Sequence, residues 1–582
     1  MSNHPAQAAR PSGQVLIGAA VGGLPVSGMC LWARMVNADF MDAPVSFLVL
    51  AWLPVLLLGA LCGAWLGRAW APSHRARVVG ATLLAMQALV PLLPAPDHAP
   101  VDSRLVILGV DGATWELVDS LDLPNLKALQ ARGTRAVLRS REPLFSPLLW
   151  TSMATGKVPE EHGIRGFRVR GDQVQAARLW DIALDAGISQ GIYKWLVTWP
   201  PTEVDGFMVP AWLAPEPDTH PPDLGFVKEL ELANRLSRTR VEGSRSRVTL
   251  ALDGISQGLR WSTLLDAGTW AVRETVGDPE PALRGWRLQL LRAAIDRDVF
   301  LAQLRRHQPD LATFTTYATD ALGHTHWVHM ESGDSLSDAI PSAYRQADAI
   351  LGEILDVVSP ETTVLVVSDH GFRAMDERDA GRHFAPRTER LQARIAAEMG
   401  QVEVAKVGQK LTVSLLGPDP TAQREALEAW LPSLVQASTE APFFRWEDIP
   451  DSPGVLGLTL RDERVDQQRL DTDQVGGEPI SQYVRATRAY SGEHDMNGIW
   501  LAAGPDIPVG VREDPVELLD VAPTILTLLE LPAAQDMPGR VVLGEERPRV
   551  ETYDALRPAT EDTPDGPAEV PEEQLRLLGY MD

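Results

Sequence analysis

Three apolar runs in the chain have the pattern of strands that are buried on both faces of a parallel sheet. They span residues 104–110, 311–318 and 363–367. The runs contain little polar alternation, which is typical of central strands in α/β proteins. The pattern therefore predicts an α/β fold with a mainly parallel sheet.

Acidic, imidazole and hydroxyl side chains follow these runs or lie in short fragments elsewhere. In an open α/β sheet the site lies at the carboxyl ends of the strands, so residues far apart in sequence can converge there. Oxygen and imidazole nitrogen donors are suitable ligands for divalent metals. Five fragments supply seven such candidates: Asp111, Ser146, Asp320 with His324, Asp369 with His370, and His494.

Ser146 has the sequence context of a helix start. Ser is a good N-cap residue, Pro147 suits the first helical position, and Gly156 suits the helix end. A hydroxyl at that place faces the positive end of a helix, where free backbone N–H groups favour phosphate oxygens. Ser146 is therefore a candidate nucleophile, and its alternative role is that of a plain helix cap.

The Asp and His pairs have spacings that suit a cation. Asp320 and His324 are four residues apart, so they can share one face of a helix. His326 and His329 would project away from that pair on the same helix and are predicted to be neighbours, not ligands. Asp369 and His370 are adjacent at a strand end, where the following glycine permits an abrupt turn.

The first hundred residues differ in composition from the rest. Three stretches carry no charge, at residues 11–33, 43–67 and 78–96, and each is about long enough to cross roughly 30 Å of hydrocarbon as a helix. The sequence therefore predicts two or three transmembrane helices in residues 1–100. The first stretch could instead be a cleaved signal peptide, and all three could form a soluble helical hairpin.

The distribution of arginine predicts an orientation for these helices. The loop with Arg68, Arg75 and Arg77 is the most basic short loop, so we expect it to stay in the cytoplasm. The rest of the chain would then lie on the extracytoplasmic side of the inner membrane. The two cysteines, Cys30 and Cys62, lie in the apolar stretches, so the remaining domain has neither a disulfide nor a cysteine nucleophile.

The net charge argues against a nucleic-acid partner. The chain of 582 residues carries a formal charge of −25, and its first hundred residues contribute five Arg and three Asp. The remainder is therefore more acidic than the whole and would be repelled by a phosphate backbone. Small phosphorylated substrates remain compatible, because bound metal can override the global field locally.

The flanking residues of these fragments resemble the alkaline phosphatase superfamily, nearest to its type I phosphodiesterase/nucleotide pyrophosphatase branch. The resemblance covers most of residues 104–548 and implies an alkaline-phosphatase-like three-layer sandwich. The matching elements are Val110-Asp-Gly112, Ser146-Pro147 through Gly163, Asp320-x-x-x-His324, Ser368-Asp-His-Gly-Phe372, residues 492–500, and residues 519–526 followed by 537–540.

The resemblance also implies how the candidates divide between two metals. One metal would be held by Asp320, His324 and His494. The other would be held by Asp111, Asp369 and His370, with Ser146 completing its shell. Two Zn²⁺ ions are expected, with Mn²⁺ as the alternative, and Ser146 would attack phosphorus in a two-metal in-line displacement.

Two departures refine the expected activity. Nucleotide pyrophosphatases resemble one another in having an Asn that contacts phosphate where this chain has Leu149. This difference weakens the prediction of a nucleotide substrate. Sulfatases share the fold but make formylglycine in a Cys/Ser-x-Pro-x-Arg context. Here Pro147 follows Ser146 directly and position 150 is not Arg, so sulfatase activity is not expected.

The domain organisation predicted from these features has three parts. We expect a catalytic domain between the apolar region and an acidic, Pro-rich tail with a terminal docking segment at 574–580. Two insertions would form caps, and Lys194, Arg382 and His383 could approach a phosphate. The predicted boundaries are 1–100, 101–548 with insertions at 205–310 and 387–490, and 549–582.

The sequence thus predicts a membrane-anchored, extracytoplasmic, metal-dependent phosphohydrolase, with a phosphodiesterase favoured over a monoesterase. Its partners would be a small phosphoester or a lipid or glycan head group, and the membrane. The alternative is a transferase that moves a phospho-alcohol group onto an envelope lipid or glycan. A third hypothesis is a catalytically inactive binding module. Such a module would have lost some of its metal ligands, and this chain retains all seven candidates.

Overall fold

The structure, a computed structural model, describes residues 13–58, 98–164, 169–235, 245–276, 281–375, 384–407, 410–448, 455–461, 470, 472–486 and 491–557. The predictions for 78–96, for the docking segment 574–580, and for Arg382 and His383 lie outside these residues. The chain divides into two compact units. The first takes Met1–Thr319, Pro341–Gly371 and Met496–Glu569, and the second takes Asp320–Ile340, Phe372–Asp495 and Val570–Asp582.

The strands are numbered in chain order. They are β1 (Leu105–Val110), β2 (Thr134–Arg139), β3 (Gln190–Tyr193), β4 (Gly206–Val209), β5 (Leu311–Thr316), β6 (Thr363–Val367), β7 (Gly371–Ala374), β8 (Phe384–Pro386), β9 (Val402–Val407), β10 (Lys410–Leu415), β11 (Val435–Gln436), β12 (Ala441–Pro442), β13 (Phe444–Asp448), β14 (Val455–Leu460), β15 (Gln474–Val475), β16 (Glu478–Pro479), β17 (Val484–Ala486), β18 (Gly492–Asp495), β19 (Asn497–Ala503), β20 (Gly510–Val511) and β21 (Val516–Glu517).

The α-helices are numbered in the same way. They are α1 (Gly13–Val36), α2 (Pro44–Phe47), α3 (Trp115–Ser120), α4 (Pro124–Gln130), α5 (Ser146–Thr155), α6 (Pro159–His162), α7 (Leu179–Asp185), α8 (Gly225–Arg235), α9 (Arg247–Ser256), α10 (Trp261–Val276), α11 (Pro281–His307), α12 (Ala318–Ser332), α13 (Ala339–Val357), α14 (Thr388–Met399), α15 (Pro420–Trp430) and α16 (Val521–Leu528).

A nine-stranded sheet forms the centre of the first unit. Its order is β20-β2-β19-β6-β1-β5-β3-β4, and β21 also pairs with β2. β1 runs parallel to β5 and β6, and β3 runs parallel to β4 and β5. β19 is antiparallel to both of its neighbours, β2 and β6. The predicted α/β fold with a mainly parallel sheet is therefore confirmed.

The three predicted strands are β1, β5 and β6. All six residues of β1 are buried, as expected for a strand that is covered on both faces. β5 ends at Thr316, two residues before the predicted end, because Ala318 already belongs to helix α12. β6 has the predicted bounds.

Helix α11 covers one end of the sheet with a row of aromatic contacts. Phe300 of α11 lies with its ring centroid 5.1 Å from that of Phe314 in β5, 5.9 Å from that of Tyr193 in β3 and 6.2 Å from that of Phe207 in β4. Aromatic pairs at these separations are favourable beyond the area that they bury. Helix α11 lies within the first predicted insertion, 205–310.

The structure does not contain the predicted transmembrane helices in its described residues. Among the described residues, no helix is long and apolar enough to cross a bilayer. Helix α1 contains five glycines together with Pro25. In the second stretch α2 has four residues, and the chain continues as a π-helical turn at Leu48–Trp52 and then as α-helix to residue 58. The rest of that stretch, residues 59–67, lies outside the described residues. The transmembrane region in the predicted fold and the inner-membrane location are therefore wrong for the described part of the chain.

The apolar side chains of this region instead pack against helices α9 and α10 of the same unit. Buried residues of α1, of the following loop and of 44–58 form one cluster with Ile255 of α9, and Trp261 of α10 packs on it. Polar groups fix the arrangement: Asn37 Nδ2 donates to the Leu259 carbonyl at 2.9 Å, and Arg305 lies 2.5 Å from Asp39. The hydropathy of the sequence does not show that these apolar residues pack against other parts of the same chain.

The second unit contains a four-stranded sheet in the order β13-β14-β10-β9. Adjacent strands are antiparallel, and helices α14 and α15 contribute Leu391 and Leu427 to its core. β10 and α15 lie within the second predicted insertion, 387–490. Smaller sheets pair β11 with β12 and β15, β15 with β16, and β8 with β17.

Candidate functional site

Two adjacent parallel strands deliver the first set of candidate ligands. β1 ends at Val110, directly before Asp111, and β6 ends at Val367, two residues before Asp369. The register of the pair places Gly109 beside Val367, so both acidic residues leave the sheet at the same carboxyl edge. Backbone contacts hold this turn, since the Asp111 N–H donates to the Thr316 carbonyl at 3.0 Å. The carboxyl ends of the strands therefore form this part of the site, as open α/β sheets require.

Ser146 begins helix α5, and the residue in the N-cap position is Phe145. The helix start therefore lies one residue before the predicted one, which is within the usual variation of helix ends. Pro147 lies in the first turn, and Gly156 ends the helix with a φ of 68° in the left-handed region, as predicted. Ser146 is fully buried, so its hydroxyl lies inside the fold at the positive end of α5.

The Nε2 atom of His370 is the centre of the first set. It lies 3.3 Å from Ser146 Oγ, 3.4 Å from Asp111 Oδ1 and 3.5 Å from Asp369 Oδ2. The other ring nitrogen, Nδ1, is 2.9 Å from the Gly371 carbonyl. A carbonyl can only accept, so Nδ1 carries the proton and the Nε2 lone pair points toward the oxygens.

These distances suit a bound cation. Ligand atoms that bind Zn²⁺ tetrahedrally at roughly 2.0–2.1 Å lie about 3.3 Å apart, close to the spacing around His370 Nε2. Asp111, Asp369 and His370 are all buried and together form a group of metal-ligand type. Two buried carboxylates without a cation would repel each other in a low dielectric. The donor set therefore fits a divalent metal.

A second set lies within the second unit, on helix α12 and strand β18. His494 Nε2 is 3.1 Å from Asp320 Oδ1 and 3.0 Å from His324 Nε2, and His324 Nε2 is 3.4 Å from Asp320 Oδ1. Burial alone would raise the pKa of the Asp320 carboxyl, but the two imidazoles lower it well below its usual value. The ionised carboxylate and two imidazole nitrogens again have the chemistry and spacing of a divalent metal site.

Phe372 organises the second set, although its role is not evident from the sequence. Its ring makes edge contacts with His324 at 4.9 Å and with His494 at 5.4 Å between centroids, and it stacks on Trp327 at 5.7 Å. An apolar wall of this kind restricts both imidazoles to the observed orientation. Phe372 follows the Ser-Asp-His-Gly motif, so the motif itself was the available signal.

The neighbouring histidines have other contacts. His326 Nδ1 lies 2.8 Å from Thr325 Oγ1, and His329 Nδ1 lies 2.7 Å from Asp334 Oδ2. Both rings are half-buried. Both residues lie on α12 with His324.

Lys194 and Leu149 are both buried, in very different surroundings. The Lys194 ammonium is 5% exposed, 2.9 Å from Glu231 and 3.6 Å from Asp296, so two carboxylates compensate its charge. Leu149 is 3% exposed within α5. Leu149 is thus an apolar side chain in a helix whose ten residues are all buried.

A mainly parallel α/β sheet with clustered Asp and His side chains and a serine at a helix start is the arrangement expected of the alkaline phosphatase superfamily, to which the chain belongs. Within it, the chain belongs to the type I phosphodiesterase/nucleotide pyrophosphatase family, which matches residues 105–413, just over half of its 582 residues. The family consists of metal-dependent phosphoric ester hydrolases, so the chain is a hydrolase of this class. No curated protein matches the chain.

Proposed function

We propose that the protein hydrolyses a phosphodiester, with Ser146 as the nucleophile and one divalent cation in each ligand set. The observation that carries the proposal is the position of the Ser146 hydroxyl, 3.3 Å from His370 Nε2 and at the start of α5. Zn²⁺ suits the mixed carboxylate and imidazole ligands best, and Mn²⁺ is the alternative.

The candidate ligands and helix α5 have different roles in this reaction. Asp111, Asp369 and His370 would hold one cation beside Ser146, and Asp320, His324 and His494 would hold the other. When bound, the cations lower the pKa of a coordinated hydroxyl and offset the charge of the phosphate group. The amino end of α5 adds the positive end of a helix dipole, which favours phosphate oxygens at the same place.

The chemical step exchanges bonds at phosphorus twice. Ser146 loses its proton to solvent, and its Oγ forms a bond to phosphorus while the bond to one ester oxygen breaks. The leaving alcohol takes up a proton from solvent. Water then adds to phosphorus, the bond to Oγ breaks, and the serine regains its proton as the phosphomonoester leaves.

The direct test uses the purified full chain with Zn²⁺ or Mn²⁺ and bis(p-nitrophenyl) phosphate. We expect wild-type turnover and essentially none for Ser146→Ala, with about two metal ions per chain retained by elemental analysis. Ser152→Ala is the matched control, because Ser152 is also buried in α5 but lies 3.0 Å from His162 Nε2, another imidazole. We expect this control to keep turnover within about threefold.

Full turnover by Ser146→Ala would contradict the nucleophile assignment. A wild-type chain that binds no metal and hydrolyses no phosphoester would contradict the proposal as a whole. Quenched reactions should also release one p-nitrophenol rapidly and leave a p-nitrophenyl phosphate group esterified to Ser146, which mass spectrometry can detect on the peptide that contains this residue.

A further inference from the structure

The indole of Trp150 donates a hydrogen bond to one of the candidate metal ligands. Trp150 Nε1 lies 2.9 Å from Asp111 Oδ2, and both side chains are fully buried. Trp150 is on helix α5, four residues after Ser146. The helix that presents the hydroxyl therefore also carries a donor that binds the Asp111 carboxylate.

The Trp150 ring is held in place from several directions. Trp195 packs edge-on against it, with ring centroids 4.9 Å apart, and its own indole N–H donates to the Trp150 carbonyl at 3.0 Å. Trp180 packs in turn on Trp195 at 6.2 Å. On strand β1, a Cβ added at Gly109 would come within 2.6 Å of Trp150 Cη2. The absence of a side chain at Gly109 therefore leaves the space that the Trp150 ring occupies.

The contact determines which carboxylate oxygen faces the cation site. Oδ2 of Asp111 accepts from the indole, and Oδ1 lies 3.4 Å from His370 Nε2. The indole N–H is a neutral donor with no acceptor capacity, so it orients the carboxylate without neutralising it and without competing for a metal. A Lys or Arg at this place would offset the negative charge that a cation needs.

We propose that Trp150 is a positioning residue that fixes the orientation of the Asp111 carboxylate and thereby sets the metal affinity of the Asp111–Asp369–His370 site. The inference rests on the proposed role of these residues as metal ligands. Hydrogen bonds from outside the ligand shell typically change metal affinity by about 10- to 100-fold when they are removed. Because Ser146 and Trp150 lie on the same helix, α5, the hydrogen bond from Trp150 also fixes the Asp111 carboxylate relative to the Ser146 hydroxyl.

The test compares two substitutions in the full chain. Trp150→Phe removes the N–H and keeps an aromatic ring. Trp195→Phe is the matched control, because it removes an equally buried indole N–H that donates to a backbone carbonyl. Zn²⁺ and Mn²⁺ dissociation constants are measured by competition with a chromophoric chelator, and thermal unfolding is followed in excess chelator.

We expect Trp150→Phe to weaken one of the two metal sites about 10- to 100-fold, and Trp195→Phe to leave both within about threefold. Both metal-free variants should show similar unfolding midpoints, because each loses one buried hydrogen bond. Turnover by Trp150→Phe should recover as the metal concentration is raised. A packing role would move the unfolding midpoints and leave this metal dependence unchanged.

A second variant keeps the proposal testable if Trp150→Phe fails to fold. Replacing Trp150 with β-(3-benzothienyl)alanine exchanges only the N–H for sulfur and preserves the ring shape. Wild-type metal affinity in this variant, or equal weakening by Trp195→Phe, would overturn the positioning role. If Asp111→Asn also leaves metal binding unchanged, the proposed ligand set fails instead, so the two failures are distinguishable.

Discussion

Glu231 is the centre of a buried ion network, and its removal should destabilise the fold strongly. It lies on helix α8, where its carboxylate is 2.9 Å from the Lys194 ammonium and 2.5 Å from that of Lys228. Lys228 is 0% exposed and Lys194 is 5% exposed, so neither ammonium can regain full hydration. The change Glu231→Gln keeps the shape of the side chain and removes its charge.

The expected magnitude follows from this burial. Removal of one partner from a buried ion pair costs about 3–5 kcal/mol, since the remaining charge is left uncompensated. Asp296 remains 3.6 Å from Lys194, and the Ala211 carbonyl remains 2.8 Å from Lys228 Nζ, which limits the loss. We therefore expect a decrease of about 3 kcal/mol in the free energy of unfolding, at the lower end of that range.

The assay is urea unfolding of the full chain in excess chelator, with linear extrapolation to water. Glu229→Gln is the matched control on the same helix, because Glu229 pairs with Arg245, whose side chain is 41% exposed. Exposed ion pairs contribute about 0–1 kcal/mol, so this variant should unfold almost like the wild type. Equal effects of the two substitutions, or a loss below about 1 kcal/mol for Glu231→Gln, would refute the assignment of a buried network.

Further predictions concern pH, metal binding and one helix end. Burial lowers the pKa of His162 from 6.5 to about 4, so acidification from pH 6.5 to 4 should cost about 3 kcal/mol of stability, because the unfolded chain takes up the proton first. Urea unfolding of His162→Asn should lack this loss. His494→Ala should lower the metal content by one ion per chain in elemental analysis, and unchanged content would exclude His494 as a ligand. When the wild-type chain is kept at a free metal concentration of 100 times Kd, removal of the metal by a chelator should lower the free energy of unfolding by about 2.7 kcal/mol per site, as measured by thermal unfolding. Gly156→Ala should destabilise by about 1 kcal/mol in urea, because Gly156 has a φ of 68°, and no loss would contradict this strain.

The parallel core was accessible from sequence because its signals are local. The apolar run of β6 ends at Val367, and the acidic residue that follows by two positions leaves the sheet beside Asp111. The start of α5 was likewise visible in Ser146-Pro147. Each of these predictions depends on a few consecutive residues and on the general geometry of parallel sheets.

The errors and omissions concern contacts between distant residues. The apolar residues before position 60 have the hydropathy of a membrane segment, and their actual partners, such as Ile255 and Trp261, lie about 200 residues away in sequence. The contact between Trp150 and Asp111 depends on the packing of α5 against β1, which no periodicity encodes. The buried pairing of Lys194 with Glu231 is a similar case.

The position of β19 has a consequence for the order in which the protein can fold. The strands β4, β3, β5, β1 and β6 are complete once residue 367 has been synthesised, and they are neighbours in the sheet. Among the described strands, β2 joins them through β19, whose residue Asn497 pairs with Arg139 across more than 350 positions. Such contacts of high sequence separation slow folding. During synthesis, the nascent sheet therefore exposes the edge of β6 until β19 emerges, and chaperones that shield strand edges should bind the chain in this interval.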